Sequence, residues 1–572
     1  MIWFIINLNR KLIRLVVPVT IRNYAKDVLS FTIINSFLTT LLCIALWNNL
    51  VDFICRRIDS RDTRSSWTRI IPKITATISE RTRSYNPLYR GKPTDSYDSI
   101  VELNIDHDDA NNIEYDHTIT RFETRPASND DTTGLEDHIS IIPNRTTRKR
   151  SKSHTGKECV EDPKVICDLG YYYRQYGINF EEFEIETDDG FIIDLWHLVP
   201  EDTSAKAAHP ILLLHGLLQS SGSFASSGRN SLAYYLYKQG FDVWLGNNRC
   251  GFKPKWNMEK LEFDESKKWD WDMNDMVKYD VKAMVQNVLS RTGYEKLSLV
   301  GHSQGTTQGF MGLVNGEKIY GSGADDDKFR LIDKLENFVA LAPAVYPGPL
   351  LDDKLFVKLL CTGIDKPLIF GQKSFIPIMM FVRDNFDQRI FTNLSYLMFN
   401  YLFDWSDTLW EASLRNRHFI FSPVHVSIKL MQWWLSPNPD KISFKQGSHI
   451  IFPDNKVWFP IENERPVSQP NADHLNDSRA SAEDFPQILM FIPRQDRLVS
   501  GERLINHFIN HEAHSTYKIW YIDEYSHMDV LWATDMIERV GKPLVEHLRL
   551  PKTEKIKTNP IPSLEIKVNE LN

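Results

Sequence analysis

The stretch Val300-Gly301-His302-Ser303-Gln304-Gly305 decides how this chain is read. It follows the apolar run Leu297-Ser298-Leu299-Val300 and leads into Thr306-Thr307-Gln308-Gly309-Phe310. Apolar run, Gly-x-Ser-x-Gly, then helical pattern predicts strand, sharp turn and helix. A serine on such a turn projects its hydroxyl away from the sheet, and the flanking glycines let strand and helix approach closely. Ser303 is therefore the candidate nucleophile. The rest of the chain must supply a base, an acid and an oxyanion site.

Working outward, Phe183–Thr187 and Phe191–Trp196 flank the turn Asp188-Asp189-Gly190, which predicts a hairpin. Short, nearly continuous apolar runs follow at 211–214, 241–245, 297–300, 338–341, 488–492 and 519–522. Such runs suit strands covered on both faces. Helical patterns separate several of them, as at 231–238 and 273–289. Alternating strand and helix predicts a mainly parallel sheet with helices on both sides. Between about 344 and 484 the alternation breaks into a long segment rich in Phe, Trp, Leu and Met, which predicts an inserted helical cap. An ordinary second core is the alternative for the same composition.

The free serine hydroxyl is a weak nucleophile and needs a base. Where a nucleophile sits on such a strand-turn-helix in α/β-hydrolases, the triad runs Ser, then Asp or Glu, then His. His527, in Glu524-Tyr525-Ser526-His527-Met528-Asp529, follows the last apolar strand and is the candidate base. Asp496, in Arg494-Gln495-Asp496-Arg497, follows the strand at 488–492 and is the candidate acid. A surface ion pair between Asp496 and Arg494 or Arg497 is the competing reading. Asp529 is expected to cap the helix that starts near Val530, and His302 to point elsewhere along the turn. Oxyanion donors are expected at the Gln304 and Leu217 amides, the latter in the loop Leu214-His215-Gly216-Leu217-Leu218. His215 is expected to hold that loop by hydrogen bonding.

The remaining sequence bounds the setting. At 572 residues with net charge −8, the chain carries no bulk attraction to nucleic acid. The six cysteines are scattered, without zinc spacing. No metal or organic cofactor is expected. The stretch 28–51 carries no charged residue and is long enough to cross a ~30 Å hydrocarbon layer. Residues 1–55 are therefore expected to form a membrane-anchor region, 56–157 a polar, disordered tether, 158–550 the catalytic domain, and 551–572 a flexible tail. Basic residues flank the apolar stretch on both sides, so its orientation is not assigned. The expected setting is membrane-bound, single-pass or monotopic. Lipid droplet, endoplasmic reticulum and plasma membrane all stay open.

Several motifs together carry a family resemblance. They are His215-Gly216-Leu217, Gly246-Asn247-Asn248-Arg249, Trp269-Asp270-Trp271-Asp272, Lys278-Tyr279-Asp280, Gly301-His302-Ser303-Gln304-Gly305-Thr306-Thr307 and Tyr525-Ser526-His527-Met528-Asp529. The chain resembles the acid lipase family over roughly 169–548, and most of all its fungal membrane-anchored steryl ester hydrolases. The resemblance implies an α/β-hydrolase core with a helical cap. It also implies hydrolysis of steryl esters at a membrane or lipid-droplet surface, with Ser303, Asp496 and His527 as triad. A triacylglycerol lipase or a lipid acyltransferase would use the same triad, and a silent lipid-binding scaffold would use the same fold. Asn248-Arg249-Cys250-Gly251 departs from the family's usual Asn-Arg-Gly.

Overall fold

The computed structural model describes residues 139–142, 161–162, 164–200, 209–321, 329–375, 377–461 and 485–550. The expected anchor region, nearly all of the expected tether and the C-terminal tail lie outside the described residues. No helix among the described residues is long and apolar enough to cross a membrane.

Among the described residues ten strands form one sheet: β1 (Ile139–Ile142), β2 (Ile178–Glu186), β3 (Phe191–Pro200), β4 (Pro210–Leu214), β5 (Asp242–Gly246), β6 (Lys255–Trp256), β7 (Leu297–His302), β8 (Leu335–Leu341), β9 (Gln487–Pro493) and β10 (Tyr517–Ile522). The spatial order is β1-β10-β9-β8-β7-β4-β5-β3-β2, with β6 against β3. Neighbours from β5 through β4, β7, β8, β9 and β10 to β1 are parallel, while β2, β3 and β6 pair antiparallel. Parallel neighbours need crossovers, and helices such as Leu232–Lys238, Lys282–Thr292 and Gly501–His511 supply them. Every residue of β4, β5 and β7 is buried, the condition for which continuous apolar runs are selected. The mainly parallel sheet is the one the strand pattern predicts, and the α/β-hydrolase fold is the one the family resemblance implies.

Two strands escape the pattern. Lys255-Trp256 is too short to show alternation. Ile139–Ile142 lies inside the segment expected to be a disordered tether, yet it pairs in parallel with Ile519–Ile522. Ile139 and Ile142 pack against the core. The strand covers what would otherwise be an open edge of β10. Its four residues, Ile-Ser-Ile-Ile, are apolar enough for that, but the polar surroundings hide them in any longer window.

Between β8 and β9 the chain leaves the sheet and builds a run of helices, including Leu355–Ile364, Gln388–Phe403, Ile428–Leu435 and Phe444–Ile451. This segment returns to the sheet beside its starting point. The amide of Gly348 donates to the Leu498 carbonyl at 2.9 Å, and that of Ser500 to the Tyr346 carbonyl at 3.0 Å. The loop after β9 is thereby stitched to the loop after β8.

Candidate active site

Ser303 sits between β7 and the helix Gln304–Val314 with φ 51° and ψ −114°. Such a backbone costs a non-glycine residue roughly 1–3 kcal/mol and persists only where the surroundings enforce it. The Ser303 amide donates to the Leu341 carbonyl at 3.0 Å, and Thr306 Oγ1 accepts from the Ala344 amide at 2.9 Å. Both flanking glycines are required. A Cβ at Gly301 would come within 2.6 Å of the Gly305 carbonyl carbon, and one at Gly305 would run into the Leu214 carbonyl.

The imidazole of His527 lies in the loop after β10, with Nδ1 2.6 Å from Oδ2 of Asp496. Oδ1 of Asp496 accepts from the amides of Leu498 at 2.9 Å and Val499 at 3.3 Å. Both side chains are buried, at 3 % and 2 % exposure. Arg494 pairs instead with Asp523, and Arg497 with Asp404 and Asp353. The competing reading of Asp496 as a surface ion pair therefore does not describe this structure.

Gly216 brings the loop after β4 against the serine: a Cβ there would lie 3.1 Å from Ser303 Cβ. His215 holds this loop, with Nδ1 2.8 Å from the Gly216 carbonyl and Nε2 accepting from the Asn248 amide at 3.1 Å. Burial pushes the His215 imidazole down to about 4, so it is neutral in this role. The Gln304 amide opens the helix that follows the serine, where the first four N–H groups have no intrahelical acceptor.

Leu217, Ser303 and His527 line one pocket. Apart from indole nitrogens, the polar side chains lining it are Gln219, His302, Ser303 and His527. Most of its wall comes from the helical segment between β8 and β9, including Phe356, Phe370, Phe375, Met398, Phe399, Leu402, Trp405, Met431 and Trp434. The Trp405 ring lies nearly parallel to the His527 imidazole, 11° between planes and 6.4 Å between centroids. Leu217, Ser303 and His527 thus meet at one apolar cavity, with Asp496 behind His527 and Gln304 next to Ser303 in the chain.

Sequence reasoning missed some residues here and misjudged others. His302 does not point away: its ring centroid is 5.2 Å from that of His527, and its Nε2 is 3.3 Å from the His527 carbonyl oxygen. Its Nδ1 lies 3.1 Å from Gln219 Oε1. Burial, foremost, and the neighbouring His527 hold His302 well below the usual imidazole range. Asp529 does not cap the following helix. Its Oδ2 accepts from the amide of Ser526 at 2.6 Å and its hydroxyl at 2.7 Å, closing the loop that carries His527. Trp410 Nε1 donates to the other oxygen at 2.7 Å. Gln219 and Trp434 touch the site, but a glutamine beyond a loop motif and a tryptophan in an apolar run carry no signal that separates them from ordinary packing.

Cys250 occupies the position after Asn248-Arg249, with φ 72°. Glycine adopts that conformation without a Cβ clash, which accounts for the family's usual Asn-Arg-Gly. Arg249 beside it is fully buried, donating to Asp280 and Asp189, and lies 4.0 Å over the Phe191 ring.

The matching family models agree with this architecture. Residues 169–228 match the model of the partial alpha/beta-hydrolase lipase region, and 209–315 that of the alpha/beta hydrolase fold. The chain is 56% identical over 535 residues to Sterol esterase 2 of Saccharomyces cerevisiae, covering 91% of this chain and 97% of that protein. It is 26% identical to human gastric triacylglycerol lipase, covering 68% of this chain and 93% of that protein. A Paleococcus ferrophilus monoacylglycerol lipase structure aligns at TM-score 0.35 and 14% identity, covering 65% of this chain and 98% of that one. The chain belongs to the acid lipase family of α/β-hydrolases, close to the fungal steryl ester hydrolases.

Proposed function

We propose that this protein is a membrane-anchored serine esterase that hydrolyses steryl esters to free sterol and fatty acid through an acyl-enzyme. The observation that carries the reading is the 2.6 Å contact of His527 with Asp496 at the wall of the same apolar pocket as Ser303. The identity to Sterol esterase 2 supports the choice of ester.

In this mechanism Ser303 Oγ attacks the ester carbonyl carbon and passes its proton to Nε2 of His527. Asp496 fixes the imidazole tautomer and stabilises the imidazolium. The negative carbonyl oxygen takes hydrogen bonds from the Leu217 and Gln304 amides. Collapse breaks the bond from acyl carbon to sterol oxygen, and Nε2–H protonates that oxygen. Water, deprotonated by the same His527, then attacks the acyl carbon; the bond from acyl carbon to Ser303 Oγ breaks, His527 returns the proton to Oγ, and the fatty acid leaves.

The helices between β8 and β9 act as a cap, and residues 28–51 as the anchor. Steryl esters collect in droplets and leaflets, so a tethered domain stays near its substrate phase. Helix Leu355–Ile364 supports the picture. It lines the pocket with Phe356, Val357 and Leu360, yet exposes Leu355 and Leu359 to solvent at 73% and 53%. On that outer side Leu355 and Leu359 alternate with Lys358 and Thr362, an amphipathic mixture suited to contact with a lipid surface. Lipid droplet, endoplasmic reticulum or plasma membrane would each present such a surface. Triacylglycerol hydrolysis is the second reading, supported by the likeness to gastric triacylglycerol lipase.

The test is a panel of cholesteryl oleate, ergosteryl oleate and triolein, assayed in isolated membranes with wild type and Ser303→Ala. Higher kcat/KM on steryl esters, lost in the variant, is expected. Preference for triolein would select the second reading. A chain lacking residues 1–135 that retains full activity on membrane-delivered ester would overturn the role given to the anchor.

A further inference from the structure

Trp434 lies on the helix Ile428–Leu435, 130 residues beyond Gln304 in sequence, and its indole Nε1–H donates to Gln304 Oε1 at 3.1 Å. Gln304 is 1% exposed, so this acceptor has no access to water in exchange. The indole is itself clamped, packing edge-on to Trp433 at 5.0 Å and to Phe444 at 4.7 Å. Trp434 also forms part of the pocket wall. One hydrogen bond thus joins the wall of the lipid pocket to the residue that follows the nucleophile.

We propose that Trp434 is a positioning residue for the reaction: by fixing the Gln304 side chain it fixes the Gln304 peptide, whose N–H must meet the oxyanion. The proposal rests on the reading of Gln304 as an oxyanion donor. Gln304 is the first residue of its helix, and its amide has no helical partner to set its direction. The carbonyl end of the peptide between Ser303 and Gln304 accepts from the amides of Thr306 at 2.9 Å and Thr307 at 3.3 Å and from the Thr306 hydroxyl at 2.6 Å, so the Trp434 bond acts at its Gln304 end. The Trp434 bond is made to that same residue, from an element that does not otherwise belong to the sheet. Its contribution falls on the transition state, because ester bound in the ground state carries no full charge for the amide to meet. The effect is therefore the same for any ester that acylates Ser303, whatever its alcohol.

Trp434→Phe keeps the ring and removes the donor. On both cholesteryl oleate and a soluble p-nitrophenyl butyrate, kcat is expected to fall roughly tenfold with KM within about twofold, the scale of one buried acceptor left unmet. An alkylboronic acid, whose tetrahedral adduct places an oxygen at the oxyanion position, is expected to bind about tenfold more weakly. A non-hydrolysable ether analogue is expected to bind as before. Gln304→Leu, which keeps the backbone N–H, is expected to lose the same factor, and the double variant no more than either single one. The Gln304→Leu arm stands even if the tryptophan variant is unstable.

A rise in KM at unchanged kcat, a loss confined to the steryl ester, or multiplied losses in the double variant would overturn the positioning role. Hydrolysis retained by Ser303→Ala would instead overturn the site reading on which it stands. Normal kcat in Trp434→Phe and Gln304→Leu, with Ser303→Ala inactive, would remove this inference alone.

Discussion

His527 and Asp496 are joined by a 2.6 Å contact between Nδ1 and Oδ2 although 31 residues separate them, and the other Asp496 oxygen is held by two backbone amides. The carboxylate is thus locked before it meets the imidazole, and it in turn locks the ring. Asp496→Asn would keep the size while offering an amide N–H where a carboxylate oxygen now accepts. A neutral amide favours the wrong tautomer of the base, for which a roughly 10⁴-fold lower kcat is expected. Steady-state hydrolysis of cholesteryl oleate measures this. A loss under tenfold would show that Asp496 does not orient the base.

His302 stands against His527 and is held neutral by burial. It contributes a hydrogen bond to the His527 backbone rather than a second titrating base. His302→Gln is expected to lower kcat roughly tenfold while leaving the acidic limb of the pH–rate profile in place. A displaced limb would mean that the two imidazoles titrate as a coupled pair.

Asp529 closes the His527 loop at an electrostatic cost. Burial raises its carboxyl to about 6, against the lowering effect of the Ser526 and Trp410 hydrogen bonds. Its folded pKa lies above the usual 3.8, so the folded chain binds the proton more tightly than the unfolded chain. Stability from this group is therefore greatest below about pH 4 and is lost as pH rises through about 6. The difference is worth roughly 3 kcal/mol at its fullest. Relative to Asp529→Asn, the wild type is expected to gain thermal midpoint as pH falls from about 6 to about 4. Calorimetry at several pH values checks the sign. A wild-type midpoint that falls relative to the variant as acid is added would contradict it.

The strand Ile139–Ile142 belongs to the catalytic sheet rather than to the tether. The Asp523 amide donates to the Ile142 carbonyl at 3.2 Å, and Gln495 Nε2 donates to the Asp523 carbonyl at 3.0 Å. Asp523 begins the loop to His527, and Gln495 precedes Asp496. Replacing Ile139 and Ile142 together by Asp in the full chain is expected to cost roughly 2 kcal/mol, read as a midpoint several degrees lower with reduced kcat. An unchanged midpoint would return the segment to the tether.

Much of this arrangement was legible in the residues. The central strands announce themselves because burial on both faces demands uninterrupted apolar runs. Ser303, Asp496 and His527 follow strand ends in an order the fold requires. What stayed hidden depends on contacts between distant segments. The strand at 139–142 becomes apolar edge cover only when β10 is beside it. Asp529 looks like a helix cap until Ser526 is seen folded back upon it. Trp434 reads as one more apolar anchor until Gln304 is found under its nitrogen. Residues 28–51, the most membrane-like stretch of the sequence, lie outside the described residues, so the anchor stands on composition.

The most direct measurement is hydrolysis of cholesteryl oleate by wild type and Ser303→Ala in isolated membranes, with covalent labelling by a fluorophosphonate as a parallel readout. Wild type is expected to release sterol and fatty acid and to take the label, while the variant does neither at equal membrane abundance. Sterol release by the variant at an appreciable fraction of the wild-type rate would contradict the assignment of Ser303 and the acyl-enzyme built on it.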